Sequence, residues 1–198
     1  MRVGGLMKVY ITGCGRSGTG LLWRLMGYFI GGRLVSALDV EGRMSDEINL
    51  ADFTEGVGKR DRWSLLSGEI GLDDIERQKR LIRDRGITVI NIIRDGRDVI
   101  QSGYISSDRW VSCIAQRELC KDVIAAEVVY EDLVRWPDRE QEILSDKLGL
   151  RIGRWFSEYP VGYDGQRPID TRSVGKDWSG LRLSDTFHQA LRMAGYGK

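Results

Sequence analysis

Two short stretches carry residue types that suit the binding of phosphate-like anions. The first is Gly13-Cys14-Gly15-Arg16-Ser17-Gly18-Thr19-Gly20. Its glycines let backbone N–H groups turn toward an anion, Arg16 adds a full positive charge, and Ser17 and Thr19 add hydroxyl donors. The second is Ile93-Arg94-Asp95-Gly96-Arg97-Asp98-Val99-Ile100-Gln101-Ser102, in which Arg94 and Ser102 stand eight positions apart. One phosphate can receive a charge-assisted bond from the arginine and a hydroxyl bond from the serine. A later glycine loop, Arg172-Ser173-Val174-Gly175-Lys176-Asp177-Trp178, offers Arg172 and Lys176.

Candidate acids and bases lie elsewhere. Asp39, Glu41, Asp46 and Glu47 follow the first apolar helical stretch, Lys59 sits in Val57-Gly58-Lys59-Arg60-Asp61-Arg62-Trp63, and His188 is the one histidine. A carboxylate buried beside a hydroxyl substrate can act as its base, because burial raises its pKa toward neutrality.

Alternating strands and helices must position these groups. Lys8 to Thr12 is β-rich and leads into the first loop. Leu21, Leu22, Leu25, Met26 and Phe29 then recur at helical spacing. Arg33 to Leu38 reads as a second strand, and residues 39–72 as loops with short helices. A helix is expected from Asp73 and Asp74 to Arg85, with acids at its start and bases toward its end, closed by Gly86. Ile87 to Ile93 is a nearly unbroken β-branched run, the mark of a strand buried on both faces of a parallel sheet.

A helix beginning near Asp98 follows. Next come a strand over Ala125 to Tyr130, a helix over Pro137 to Leu148 and a terminal helix over Ser184 to Met193. This order predicts one α/β domain over residues 1–198, with a mainly parallel central sheet flanked by helices. Ligands in such sheets bind beyond the carboxyl ends of the strands, where both anion-suited loops fall.

The chain has 198 residues, 41% hydrophobic and 30% charged, which suits a globular domain with a core and excludes disorder as its main state. No apolar run approaches the roughly 20 residues of a spanning helix, and the N-terminal residues do not read as a secretory signal. A net charge of +1 gives no global attraction to nucleic acid or acidic membrane. Cys14, Cys113 and Cys120 form neither a disulfide framework nor a metal spacing, so a reducing cytoplasm is expected.

The first loop fits three phosphate ligands. Gly13, Gly15 and Gly18 make a formal G-x-G-x-x-G, with Asp39 about 20 residues on, as in dinucleotide-binding folds. Gly13 and Gly18 also fit a Walker A spacing, but Thr19 stands at its lysine position and Gly20 at its magnesium-binding hydroxyl.

The third ligand rests on a resemblance. Thr12 to Leu22 (TGCGRSGTGLL) resembles the 5′-phosphosulfate loop of sulfotransferases that use 3′-phosphoadenylyl sulfate (PAPS). Arg16, Ser17, Gly18 and Thr19 match its core, while Gly20 replaces a second hydroxyl residue. The segment 93–102 resembles that family's 3′-phosphate motif, with Gly96 in place of a common proline. Val129-Tyr130-Glu131-Asp132-Leu133 with Pro137 and Leu148-Gly149-Leu150, and the loop 172–178, resemble two later motifs.

The resemblance implies a P-loop-like sulfotransferase architecture, PAPS as donor, 3′,5′-ADP as product and no metal. It implies donor contacts from Gly15, Arg16, Ser17, Gly18, Thr19, Gly20, Arg94, Ser102, Tyr130 (near the adenine), Arg172 and Lys176. Arg16 would stabilise the charge that develops on the leaving phosphate. Glu41, then Asp39, are the candidate bases, and Lys59 faces donor or acceptor.

Residues 31–86 are expected to form an acceptor-side insertion, and 150–198 a C-terminal loop and helix. The acceptor would be the hydroxyl or amine of a small molecule, carbohydrate or peptide, and the protein a monomer or homodimer. A P-loop nucleotide kinase and a catalytically inactive nucleotide-binding relative are the rival readings.

Overall fold

The β-branched run before Arg94 forms a strand buried from its second residue on, at the inside of the sheet. The computed structural model describes residues 8–30, 37–38, 44–45, 53, 55–60, 72–159 and 174–197. Asp39, Glu41, Asp46, Glu47 and Arg172 lie outside these. The chain order is β1 (Lys8–Gly13), α1 (Thr19–Ile30), β2 (Ala37–Leu38), β3 (Met44–Ser45), β4 (Gly56–Arg60), α2 (Leu72–Arg85) and β5 (Thr88–Ile93). After these come α3 (Gly96–Ile100), α4 (Ser107–Leu119), β6 (Ile124–Val129), α5 (Tyr130–Arg135), α6 (Pro137–Leu148) and α7 (Asp185–Met193).

Four strands pair in parallel in the order β4-β1-β5-β6, while β2 and β3 form a separate antiparallel pair. The fold is thus α/β, with a parallel sheet between helical layers. Alternation along each strand assigns the faces. Val9, Ile11, Val57, Ile90 and Ile92 pack with Leu22, Leu25 and Met26 of α1 and with Leu144 of α6. Tyr10 and Val89 pack on the other face with Ile75 and Ile82 of α2. Ile93 joins Trp110 of α4 and Phe187 of α7. Each fully buried leucine or isoleucine in these clusters contributes about 1.5–3 kcal/mol relative to exposure.

Two sequence expectations change, and a third is described only in part. Residues 56–60, expected to be loop, are an edge strand in register with β1 (Ile11 opposite Lys59). Its apolar content is Val57 alone, flanked by Gly56 and Gly58, so no hydrophobic run announces it. Pairing to β1 and the Trp23 indole, which donates to the Val57 carbonyl at 2.6 Å, hold it instead. The expected strand over 33–38 is described only at Ala37–Leu38, which pairs with β3 outside the parallel sheet.

The single helix expected from Asp98 is two. α3 opens at Gly96, capped by the Asp95 carboxylate that accepts from the Arg97 amide at 2.9 Å, and α4 starts afresh at Ser107.

Because α1 packs on one face and α4 on the other, the connections leaving β1 and β5 diverge. Such a divergence opens a crevice at the carboxyl ends of two adjacent strands.

Candidate donor site

The crevice floor is the Gly13–Gly20 loop. It turns tightly, the Ser17 amide donating to the Cys14 carbonyl at 3.0 Å. Arg16 takes the left-handed conformation (φ 68°), and Gly18 does so at φ 93°. A Cβ on Gly18 would lie 2.3 Å from the Tyr130 ring, so glycine is required there by conformation and by space. α1 begins at Thr19 with no acidic residue in its first turn. Its N-terminal amides and positive dipole end are thus left for an anion. By contrast α4, α6 and α7 carry acids there: Asp108; Asp138 and Glu140; and Asp185.

The side chains of the loop divide between inside and outside. Ser17 is buried, and its hydroxyl has no hydrogen-bond partner among the described residues. It borders a small crevice behind the loop shared with Asn91, Trp110, Cys113 and Arg117. Thr19 is buried at the helix start. The Arg16 side chain is exposed, its guanidinium 4.4 Å from the Tyr104 ring centroid. Position 20 has room for a side chain: the nearest described atoms to a Cβ there would be the Arg24 guanidinium and Lys59 Cε, each in ordinary contact at 3.9 Å.

Two buried cations flank the loop. Arg94 follows β5 directly, two residues past Ile92, and is 7% exposed. Its Nη1 donates to the Arg16 carbonyl at 3.1 Å, and its guanidinium lies 4.5 Å from the Tyr130 ring centroid. The second expected motif therefore reaches the first through a direct bond. Lys59, on the other side of β1, is 3% exposed, with its stem beside Gly20. Tyr130 is buried as the first residue of α5, not the last of β6, and is packed between the Gly18 backbone and Arg94.

Ser102 departs from expectation. It lies two residues past the end of α3, not within a helix, and its hydroxyl accepts from the Tyr104 amide at 3.4 Å. Gly96 departs from the proline expected by resemblance for a clear reason. A Cβ there would lie 2.6–2.8 Å from three atoms of the buried Trp110 ring.

Carboxylates fix the second motif from both sides, and the sequence reading had given them no role. Asp95 holds Arg97 through its Nε and Nη2 (2.6 Å to the latter), a hydrogen-bonded pairing that raises the Arg97 pKa above its ordinary value. Glu131 accepts from the Asp95 amide at 2.9 Å and from the Tyr196 hydroxyl at 2.6 Å. Burial, with the Glu131 charge beside it, pushes the Tyr196 phenol far above its ordinary value, so it stays a donor.

Asp98 accepts from the Gly175 amide at 3.0 Å, the Lys176 amide at 3.3 Å and the Trp178 indole at 2.9 Å. This brings the expected late loop onto α3, although the Lys176 residue is itself exposed. The sequence signal available was the Arg94–Asp98 spacing of four, one helical turn.

Among the described residues no group of three histidines, cysteines or carboxylates is placed to hold a metal ion. All three cysteines are buried and none forms a disulfide, and His188 is exposed on α7.

No family model matches the sequence, and no curated protein matches it. Solved structures do match the fold. The chain is similar to the sulfotransferase domain from the Synechococcus PCC 7002 olefin synthase, with 13% identity, a TM-score of 0.64, and coverage of 98% of this chain and 96% of that one. It is similar to the sulfotransferase domain from the curacin biosynthetic pathway at 13% identity and a TM-score of 0.66, with 99% of each chain covered. The fold of this chain is therefore that of sulfotransferase domains over nearly its whole length.

Proposed function

We propose that this chain is a PAPS-dependent sulfotransferase that passes a sulfuryl group to a hydroxyl or amine of a small-molecule, carbohydrate or peptide acceptor. The observation that carries the reading is the meeting of the two motifs: Arg94 bonds to the Arg16 carbonyl and stacks on Tyr130, while Tyr130 packs on Gly18. A dinucleotide-binding loop gives Arg94 no task, and a nucleotide kinase would need the Walker lysine and magnesium ligand that Thr19 and Gly20 replace. The fold likeness supports the same reading.

The residues present suit such a donor. The Gly13–Gly20 loop, the α1 N-terminus and the exposed Arg16 guanidinium would hold the 5′-phosphosulfate. Arg94 with Ser102 would hold the 3′-phosphate, with Lys176 of the late loop as a further contact and Arg172, which lies outside the described residues, proposed as another. The donor supplies an activated sulfuryl group on a phosphate leaving group. Arg16 and the helix N-terminus stabilise the negative charge that grows on that phosphate. Lys59, buried beside Gly20, offers a second cation on the opposite flank of β1.

The acceptor oxygen or nitrogen forms its bond to sulfur as the sulfur–oxygen bond to phosphate breaks, and its proton passes to a carboxylate. For that base we propose Glu41, with Asp39 second. Positioning and fixed charge then supply most of the rate, as in phosphoryl transfer. No described helix is long and apolar enough to cross a membrane. We place the reaction in the cytoplasm, a reading supported by three buried cysteines that form no disulfide.

Calorimetric titration with 3′,5′-ADP, then with ATP and magnesium, tests the reading. Micromolar binding of 3′,5′-ADP, about −8 kcal/mol, with no comparable ATP binding is the expected result. Transfer of labelled sulfate from PAPS to an acceptor panel would follow. Preference for ATP and magnesium, or no nucleotide binding, would overturn it.

A further inference from the structure

Asp98 is 1% exposed, and its side chain is fully buried. Three N–H donors reach it from one segment 77–80 residues away: Gly175 at Oδ2, Lys176 at Oδ1 and the Trp178 indole at Oδ1. The same helix face adds two more attachments. Gln101 Nε2 donates to the Asp177 carbonyl at 2.6 Å, and the Arg97 guanidinium lies 3.8 Å from the Trp178 ring centroid. Asp95 clamps Arg97 in turn. Residues 174–178 are thus a strap docked on α3.

That docking fixes the strap relative to Arg94. Arg94 Nη2 lies 3.9 Å from Asp98 Oδ2, four residues on, so one carboxylate faces both the strand-end cation and the strap backbone. Surface contacts alone hold a strap of mostly exposed residues weakly. A buried carboxylate spent on three of its N–H groups specifies its position, because such a group is costly to bury unless its acceptor sites are filled.

We propose that Asp98 is a positioning residue for the nucleotide's 3′-phosphate. It holds the strap against Arg94, so that the phosphate is bracketed between strand end and strap, and it thereby sets the preference for nucleotides that carry a 3′-phosphate. The inference rests on the proposed donor. Electrostatics and positioning predict opposite results for Asp98→Asn. Removing a negative charge beside Arg94 would by Coulomb's law strengthen phosphate binding. Losing the strap would weaken it.

The test is calorimetric titration of wild type, Asp98→Asn and Trp178→Phe with 3′,5′-ADP and 5′-AMP. Wild type should prefer 3′,5′-ADP by about 100-fold, as a buried charge-assisted phosphate site implies. Asp98→Asn should cut that preference about tenfold and leave 5′-AMP affinity within about twofold; Trp178→Phe, which removes one neutral donor, should cut it about threefold. If Asp98→Asn does not fold, Trp178→Phe and Gly175→Pro carry the test. Proline cannot adopt the φ of 69° at position 175 and lacks the N–H that Asp98 receives.

Unchanged or increased preference in the folded variants overturns the inference, as does an equal fall for both nucleotides. A wild type with no preference overturns the donor reading itself, and this inference with it.

Discussion

β4 and β5 flank the same strand and each delivers a buried cation to the loop that follows it, yet the two are built differently. β5 lies between β1 and β6, its residues 89–93 buried, and Arg94 continues directly from its end. Among the described residues β4 is paired on its β1 side only; it carries a single apolar residue and sets Lys59 opposite Ile11, below the rim of the sheet. Arg94 sits at the mouth of the crevice against Arg16 and Tyr130. Lys59 sits against the flank of α1. An inner strand can place a group by its own burial, whereas an edge strand needs partners such as Trp23 to do so.

If the two cations divide the work, their removal should have different signatures. The largest effect is expected from Arg94→Ala. Truncating the charged partner of a desolvated phosphate costs about 2–5 kcal/mol, so 3′,5′-ADP affinity should fall roughly 30- to several-thousand-fold in calorimetry. Loss below about threefold would break the comparison by removing Arg94 from the donor site.

Lys59→Met should leave 3′,5′-ADP affinity within about threefold while turnover with PAPS falls about 100-fold, a typical value for one electrostatic contact to the transition state. A matching fall in affinity would make the two flanks equivalent.

How the strands are braced predicts a third, smaller effect. Behind β5, Asn91 donates to Glu127 at 3.2 Å, and Arg117 pairs with the same carboxylate through Nε and Nη2 at 2.5 Å each. Burial acts to raise the Glu127 pKa, but the Arg117 bonds and charge outweigh it and hold the carboxyl below its ordinary value. A depressed carboxylate stabilises fully above its unfolded pKa, about 4.3, and less as pH falls through its folded value. Glu127→Gln should therefore be less stable than wild type by about 1.5–3 kcal/mol at pH 7; the gap should begin to shrink below about pH 4 and close only as pH falls through the depressed folded pKa. Urea melts across that range check it, and a constant gap would detach the brace from the charge.

Smallest is Gly20→Ser. The position is open toward Arg24 and Lys59, so the variant should fold with stability changed by under about 1 kcal/mol. Its hydroxyl should improve 3′,5′-ADP affinity by no more than about tenfold, and a drop in melting temperature of many degrees would contradict the space seen there.

Legibility in the sequence followed the same division. β1, β5 and the first helix could be read because their signals are local: apolar runs and helical spacing that the core then uses as written. Both anion motifs were visible for a related reason, since a loop between strand and helix must hold its glycines and cations in one short string. β4 was not legible, because pairing and a distant indole support a strand with one apolar residue. The break between α3 and α4 also escaped the reading, although Gly103, at φ 75°, and the N-cap Ser106 mark it locally. Asp98 showed itself in the sequence only as a helix-opening acid four residues after Arg94, because its donors come from residues 175–178. A group whose partners are remote in sequence has no local pattern to show.

The contact between Gly96 and Trp110 carries a consequence for how this chain can change. Proline is otherwise well suited to the first position of a helix, but here the indole fills the space that its ring would need. Position 96 can accept a larger residue only after position 110 has given up its tryptophan, and that first step would open a cavity in the α4–α7 core. The two sites are therefore epistatic, and the route between glycine and proline at this turn passes through a destabilised intermediate or a paired exchange.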